Sequence, residues 1–212
     1  MFGTMVSSAY PQRTLDAKKN DIDYTDEAMD VADTIFRMWR NFALVVWLVY
    51  TSEQFSNTPD ALSKLTVFSN GLNFLWRLNF AAQNDFVAAA ATLGLVMSAS
   101  YYVTIGAGSI ADVYGDGTVN PVTDVVVHAV LPLEAFVTAA TGAKYLTDRA
   151  ASCLVLAFFN VLYAGLFLIF QPYPFVRRQS IAETTALLLG SSAGTVGLHF
   201  ALLTWLPKVL RN

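Results

Sequence analysis

Six long apolar stretches run along this chain, separated by short polar connections. They lie at residues 37–51, 62–82, 85–105, 121–141, 149–170 and 181–210. A membrane-spanning helix takes about 20 mostly apolar residues, and five of the six reach that length. The first reaches it only by extending back through Thr34. The strict alternation of a barrel strand is absent. Only helices or closed barrels satisfy the backbone in hydrocarbon, so the pattern predicts an all-α integral membrane bundle of six transmembrane helices over 35–212. Residues 1–34 form a polar tail of mixed charge, expected to be peripheral or disordered. That tail has no apolar signal core and is too acidic for a mitochondrial transit peptide.

Composition supports the membrane reading. The chain is 55% hydrophobic and only 14% charged, with mean hydropathy +0.46. A soluble domain carries nearly twice that charged fraction. A net charge of −3 without a basic, aromatic-rich patch argues against nucleic acid. The lone Cys153 excludes an intrachain disulfide and reads as a small buried apolar residue. With two histidines at opposite ends of the bundle, no metal cluster is expected, and no cofactor either.

Lys and Arg set the orientation. With six helices, one side holds Arg13, Lys18, Lys19, Arg37, Arg40, Arg77, Lys144, Arg149, Lys208 and Arg211. The other holds only Lys64, Arg177 and Arg178. Both termini are therefore expected in the cytosol, or on the matrix or stromal side in an organelle. The Asp-bearing, Lys- and Arg-free connection 106–120 falls on the far side. Its glycines do not form a phosphate loop, because no strand precedes them and no Lys-Ser/Thr follows.

Polar residues within membrane helices carry the chemistry. Thr66, Asn70 and Asn73 share one face of the second helix at i, i+4 and i+7. In the fourth, Asp124 and His128 stand at i, i+4, so the carboxylate can orient the imidazole. Pro132 removes the bond to the carbonyl of His128 and is expected to kink that helix. Both helices enter from the far side. Thr66 lies about one turn in and His128 roughly 10 Å in, which puts them in the same leaflet. A threonine hydroxyl becomes a nucleophile when a base such as histidine takes its proton. Acyl chemistry on a lipid is thus open to this pair, with Asp124 holding the ring. Asn70 or a backbone N–H would receive the oxyanion. Interhelical hydrogen bonding is the favoured role of Asn70 and Asn73 and the expected one of Asn160. Glu134 is expected to pair or to face a polar cavity, and His199 to be an interfacial or packing residue. Trp39, Trp47, Trp76, Tyr101, Tyr102, Tyr173 and Trp205 read as belt aromatics near helix ends. The small residues of AAAATLG and GSSAGTVG suit close helix packing.

The stretches KLTVFSNGLN (64–73), HAVLPLEAF (128–136) and PYPFV (172–176), with VMSASYY (96–102) as a fainter echo, come in an order that resembles the androgen-induced, FAR-17a-type family of multipass membrane proteins. The likeness covers about 62–189. It implies six helices and hydrolysis of fatty acid esters of hydroxy fatty acids. By motif, Thr66 would be the nucleophile and His128 the base. The acidic tail and the Asp-bearing connection before the fourth helix depart from that family.

An intramembrane acyl-ester hydrolase working on a lipid in the bilayer is therefore the leading expectation. A non-catalytic membrane subunit, docking on protein partners through its N-terminal tail, is the alternative. A small transporter ranks third, because the two halves show no matching pair of broken helices.

Overall fold

In this computed structural model the described residues are 44–53, 61–78, 81–107, 120–171 and 179–210, with scattered positions between 31 and 42. The polar tail up to residue 30, the connection 108–119 and the PYPFV stretch lie outside them. The chain divides into two compact units, Met1–Asn41 and Phe42–Asn212. In the first, helical backbone is described at positions such as Val31, Ile35 and Met38, whose side chains are exposed.

The second unit is all-helical among its described residues. Helix α1 covers Leu44–Glu53. A 3-10 turn at Ala61–Ser63 leads into α2, Leu65–Arg77. Then come α3, Asn84–Ala107; α4, Pro121–Thr141; α5, Arg149–Phe170; and α6, Ile181–Leu210. Four of these, α3 to α6, are long and apolar enough to cross a membrane. The second apolar stretch departs from expectation. It forms a helix of 13 residues, about 20 Å long at 1.5 Å per residue, where a 21-residue span was expected. Charges bracket it, with Lys64 at its start and Arg77 at its last turn.

Local chemistry explains the helix starts. Asn120 caps α4, its side chain accepting from the amides of Val122 (2.9 Å) and Thr123 (3.3 Å), and Pro121 follows at the first helical position. Asp148 caps α5 through the Ala151 amide at 2.7 Å. Ser180 and Glu183 cap α6 reciprocally: the Glu183 carboxylate accepts from the Ser180 amide, and the Ser180 hydroxyl from the Glu183 amide.

Helix α3 is the hub. Residues 87–91 are fully buried. One core joins Phe68 and Leu72 of α2 to Ala89, Ala90 and Leu93 of α3 and to Leu156 and Phe159 of α5. A second joins Val87, Ala88 and Ala91 to Ala139, Ala140, Tyr145 and Leu203. The small residues of AAAATLG thus permit close approach. Gly94 marks the tightest point. A Cβ there would stand 3.0 Å from the Asn73 side-chain nitrogen and 3.6 Å from Pro132 Cβ, so α2, α3 and α4 converge on it. The glycines of GSSAGTVG behave otherwise. Gly190, Gly194 and Gly197 have no neighbour within 4 Å of an added Cβ among the described residues, because they point away from the hub.

Candidate functional site

Helix α4 is interrupted where its polar residues sit. Residues Val126–Val130 form a π turn, and the Leu131 amide donates to the Val126 carbonyl five residues back. Pro132 follows and has no N–H to give, so the next carbonyl in that register, Val127, is left without its helical donor. The Asn70 side chain supplies the missing donor, its nitrogen 3.1 Å from the Val127 oxygen. Asn70 therefore ties α2 to the π turn. Helix α2 starts without a side-chain cap, and the first-turn amides of a helix have no intrahelical acceptor. Thr66 lies in that turn.

The π turn aims His128 at Thr66. The Thr66 hydroxyl and His128 Nε2 are 3.0 Å apart. On the other side of the ring, Nδ1 lies 3.0 Å from the Asp124 carboxylate and 3.1 Å from the Asp124 carbonyl. Both of those groups are acceptors, so Nδ1 carries the proton. In the neutral ring Nε2 accepts from the Thr66 hydroxyl. The three residues are 8%, 5% and 4% exposed, so the chain of bonds is shielded from water.

Tyr101 completes the site and was not anticipated. Its place near a helix end suggests a belt aromatic. Its hydroxyl instead donates to the Asp124 carboxylate. Its ring lies flat on the imidazole of His128, centroids 3.5 Å apart and planes 7° apart. Tyr50 of α1 meets the same imidazole edge-on at 6.3 Å. Trp47, also read as a belt residue, is buried and stacks on Phe74. The adjacency of Tyr101 and Tyr102 hid their difference. Successive helix positions turn by about 100°, and only Tyr101 points inward, while Tyr102 is exposed.

The remaining candidates sort by partner. Glu134 forms a buried ion pair with Arg77, which draws the end of α2 onto α4. It stands apart from the Thr66–His128 pair, one helix segment further along α4. Asn73 donates to the carbonyls of Ser69 and Ala90 and accepts from Trp76, as expected of interhelical glue. Asn160 differs. Its side-chain nitrogen finds no acceptor among the described residues. Cys153 is half-buried.

His199 occupies a second polar cluster. It is fully buried, with Nδ1 2.8 Å from the Thr92 hydroxyl and Nε2 2.8 Å from the Ser152 hydroxyl. Thr92 also meets Tyr145 at 3.0 Å and the Ala88 carbonyl at 2.9 Å. Tyr145 lies in the turn between α4 and α5, and burial raises its phenol above the ordinary range, so its hydroxyl keeps its proton. No carboxylate orients His199 among the described residues, and its two nitrogens link α3 to α5. It is the packing histidine the sequence suggested.

Among the described residues, fold and site together define a helical architecture with four membrane-length helices and a buried hydroxyl–imidazole–carboxylate chain. No family model, curated protein or solved structure matches it.

Proposed function

We propose that the chain is an intramembrane hydrolase of fatty acyl esters, with Thr66 as nucleophile and His128 as base. The observation that carries this reading is the 3.0 Å contact between the Thr66 hydroxyl and an imidazole nitrogen whose partner nitrogen is held by Asp124. In the first half-reaction His128 Nε2 takes the Thr66 proton as the hydroxyl oxygen attacks the ester carbonyl. The oxyanion forms at the first-turn amides of α2. Its collapse breaks the ester C–O bond, and His128 returns the proton to the departing alkoxide, freeing the alcohol and leaving acyl-Thr66. In the second half-reaction a water gives its proton to His128 and attacks the acyl carbon; collapse breaks the bond from that carbon to the Thr66 oxygen, His128 returns the proton to that oxygen, and the acid leaves. Asp124 keeps Nδ1 protonated throughout and stabilises the imidazolium. The resemblance to the androgen-induced family agrees with this assignment. The membrane topology that accompanies the proposal has six helices, α1 to α6, and both termini on the Lys- and Arg-rich side.

The test uses the full chain in detergent with a fatty acyl ester and a fluorophosphonate probe. Thr66→Ala is expected to abolish turnover and labelling, Thr66→Ser to keep labelling, and His128→Ala to lower turnover by at least about a hundredfold. Turnover unchanged in both Thr66→Ala and His128→Ala overturns the proposal and favours a non-catalytic membrane subunit.

A further inference from the structure

At the end of the bundle where α5 begins and α6 finishes, a cavity of about 540 Å³ opens between the two helices and the turn before α5. Arg149 and Lys208 line it. Neither has a carboxylate partner among the described residues, and Lys208 lies over the Trp205 ring at 5.3 Å. The one carboxylate in the lining, Asp148, accepts the Ala151 amide as the α5 cap. Leu203 and Pro207 supply an apolar wall, and buried Tyr145 closes the floor.

We infer that this cavity binds the phosphate headgroup of an acidic phospholipid. Two cations with no carboxylate partner among the described residues, backed by the N-terminal end of a 22-residue helix, select an anion. The apolar wall selects its source. A free phosphate ion would leave Pro207 and Leu146, which also lines the cavity and is 41% exposed, facing water, whereas a lipid brings glycerol and the first chain methylenes against them. Trp205, 66% exposed beside the cavity, is an aromatic of the kind that settles at the membrane–water interface, which puts the cationic rim at headgroup level. The inference does not depend on the hydrolase reading.

The experiment places the full chain in nanodiscs of zwitterionic phospholipid containing phosphatidic acid and reads retained lipid by native mass spectrometry. Acidic lipid is expected to be retained roughly ten- to thirtyfold over zwitterionic lipid, from two cations near the surface. Arg149→Gln with Lys208→Gln should erase that preference, and the exchange Arg149→Lys with Lys208→Arg should keep it. Equal retention of the two lipids by the unaltered protein overturns the inference without recourse to any variant. A preference that survives the double Gln change overturns it as well. Glycerol phosphate in solution is expected not to displace the lipid, and displacement would mean a site for soluble phosphate esters instead.

Discussion

A hydroxyl beside an imidazole is common in helix packing, and His199 provides an internal control. It has hydroxyls at both ring nitrogens and no carboxylate partner among the described residues. His128 has a hydroxyl at one nitrogen, a carboxylate at the other and a tyrosine stacked on its face. The two histidines should therefore fail differently. His199→Leu strands the Thr92 and Ser152 hydroxyls and should cost about 1–3 kcal/mol of stability. It should lower the melting temperature in detergent while the folded fraction keeps its turnover. Turnover lost in proportion to His128→Ala would contradict the assignment. Tyr101→Phe keeps the stacked ring and removes one hydrogen bond to a charged acceptor. Such a bond is worth about 1.5–3 kcal/mol, so turnover should fall roughly ten- to a hundredfold. Unchanged kcat in Tyr101→Phe would show that the hydroxyl plays no part in orienting Asp124. Thr66, Asp124 and His128 could be paired in advance because an i, i+4 spacing and two helix depths are arithmetic on the sequence. Tyr101 could not, because its depth says helix end and only its rotational phase says interior.

At the scale of the helix, the decisive feature is the π turn of α4. Pro132 announced a break but not its kind. A proline can kink a helix or be absorbed by a π turn, and the choice depends on whether a neighbour supplies the missing donor. Here Asn70 supplies it at the Val127 carbonyl, and that contact joins two helices 57 residues apart in sequence. The extra residue in the turn rotates Asp124 and His128 by about 100° relative to an uninterrupted helix. Pro132→Ala restores an N–H and lets α4 anneal to regular register. We expect the variant to be as stable as the parent or more so, yet at least tenfold less active, because His128 turns away from Thr66. A variant with lower stability and full turnover would mean that the turn supports the fold and not the site. The same reasoning explains why α2 fell short of its expected length. Its apolar composition suggested a span, but charged residues at 64 and 77 end it, and Arg77 is drawn to Glu134 instead of an interface.

For the whole molecule, the lengths of α1 and α2 govern how they sit against four membrane-length helices. Thirteen residues of α2 cover about 20 Å, against a hydrocarbon core of about 30 Å. Thr66 and Arg77 at its two ends cannot both lie at the membrane surfaces. The buried Arg77–Glu134 pair is consistent with an inner end held within protein, where ionisable groups in membrane helices usually find partners. If α3 to α6, each long and apolar enough to cross, make four crossings, then α1 and α2 add an even number whether they cross together or dip in and return together. The residues before α1 and after α6 should then lie on the same side. The orientation proposed from the Lys and Arg distribution puts that side in the cytosol, or on the matrix or stromal side in an organelle. Single cysteines introduced before α1 and after α6, in a Cys153→Ser background, check this in sealed vesicles with an impermeant thiol reagent. Both should react from the same face. Labelling from opposite faces would require exactly one of α1 and α2 to cross. The Thr66–His128 contact would stand under that result, because α2 and α4 start from one side wherever α2 and α3 both cross, and only the placement of α1 or α2 relative to the bilayer would change.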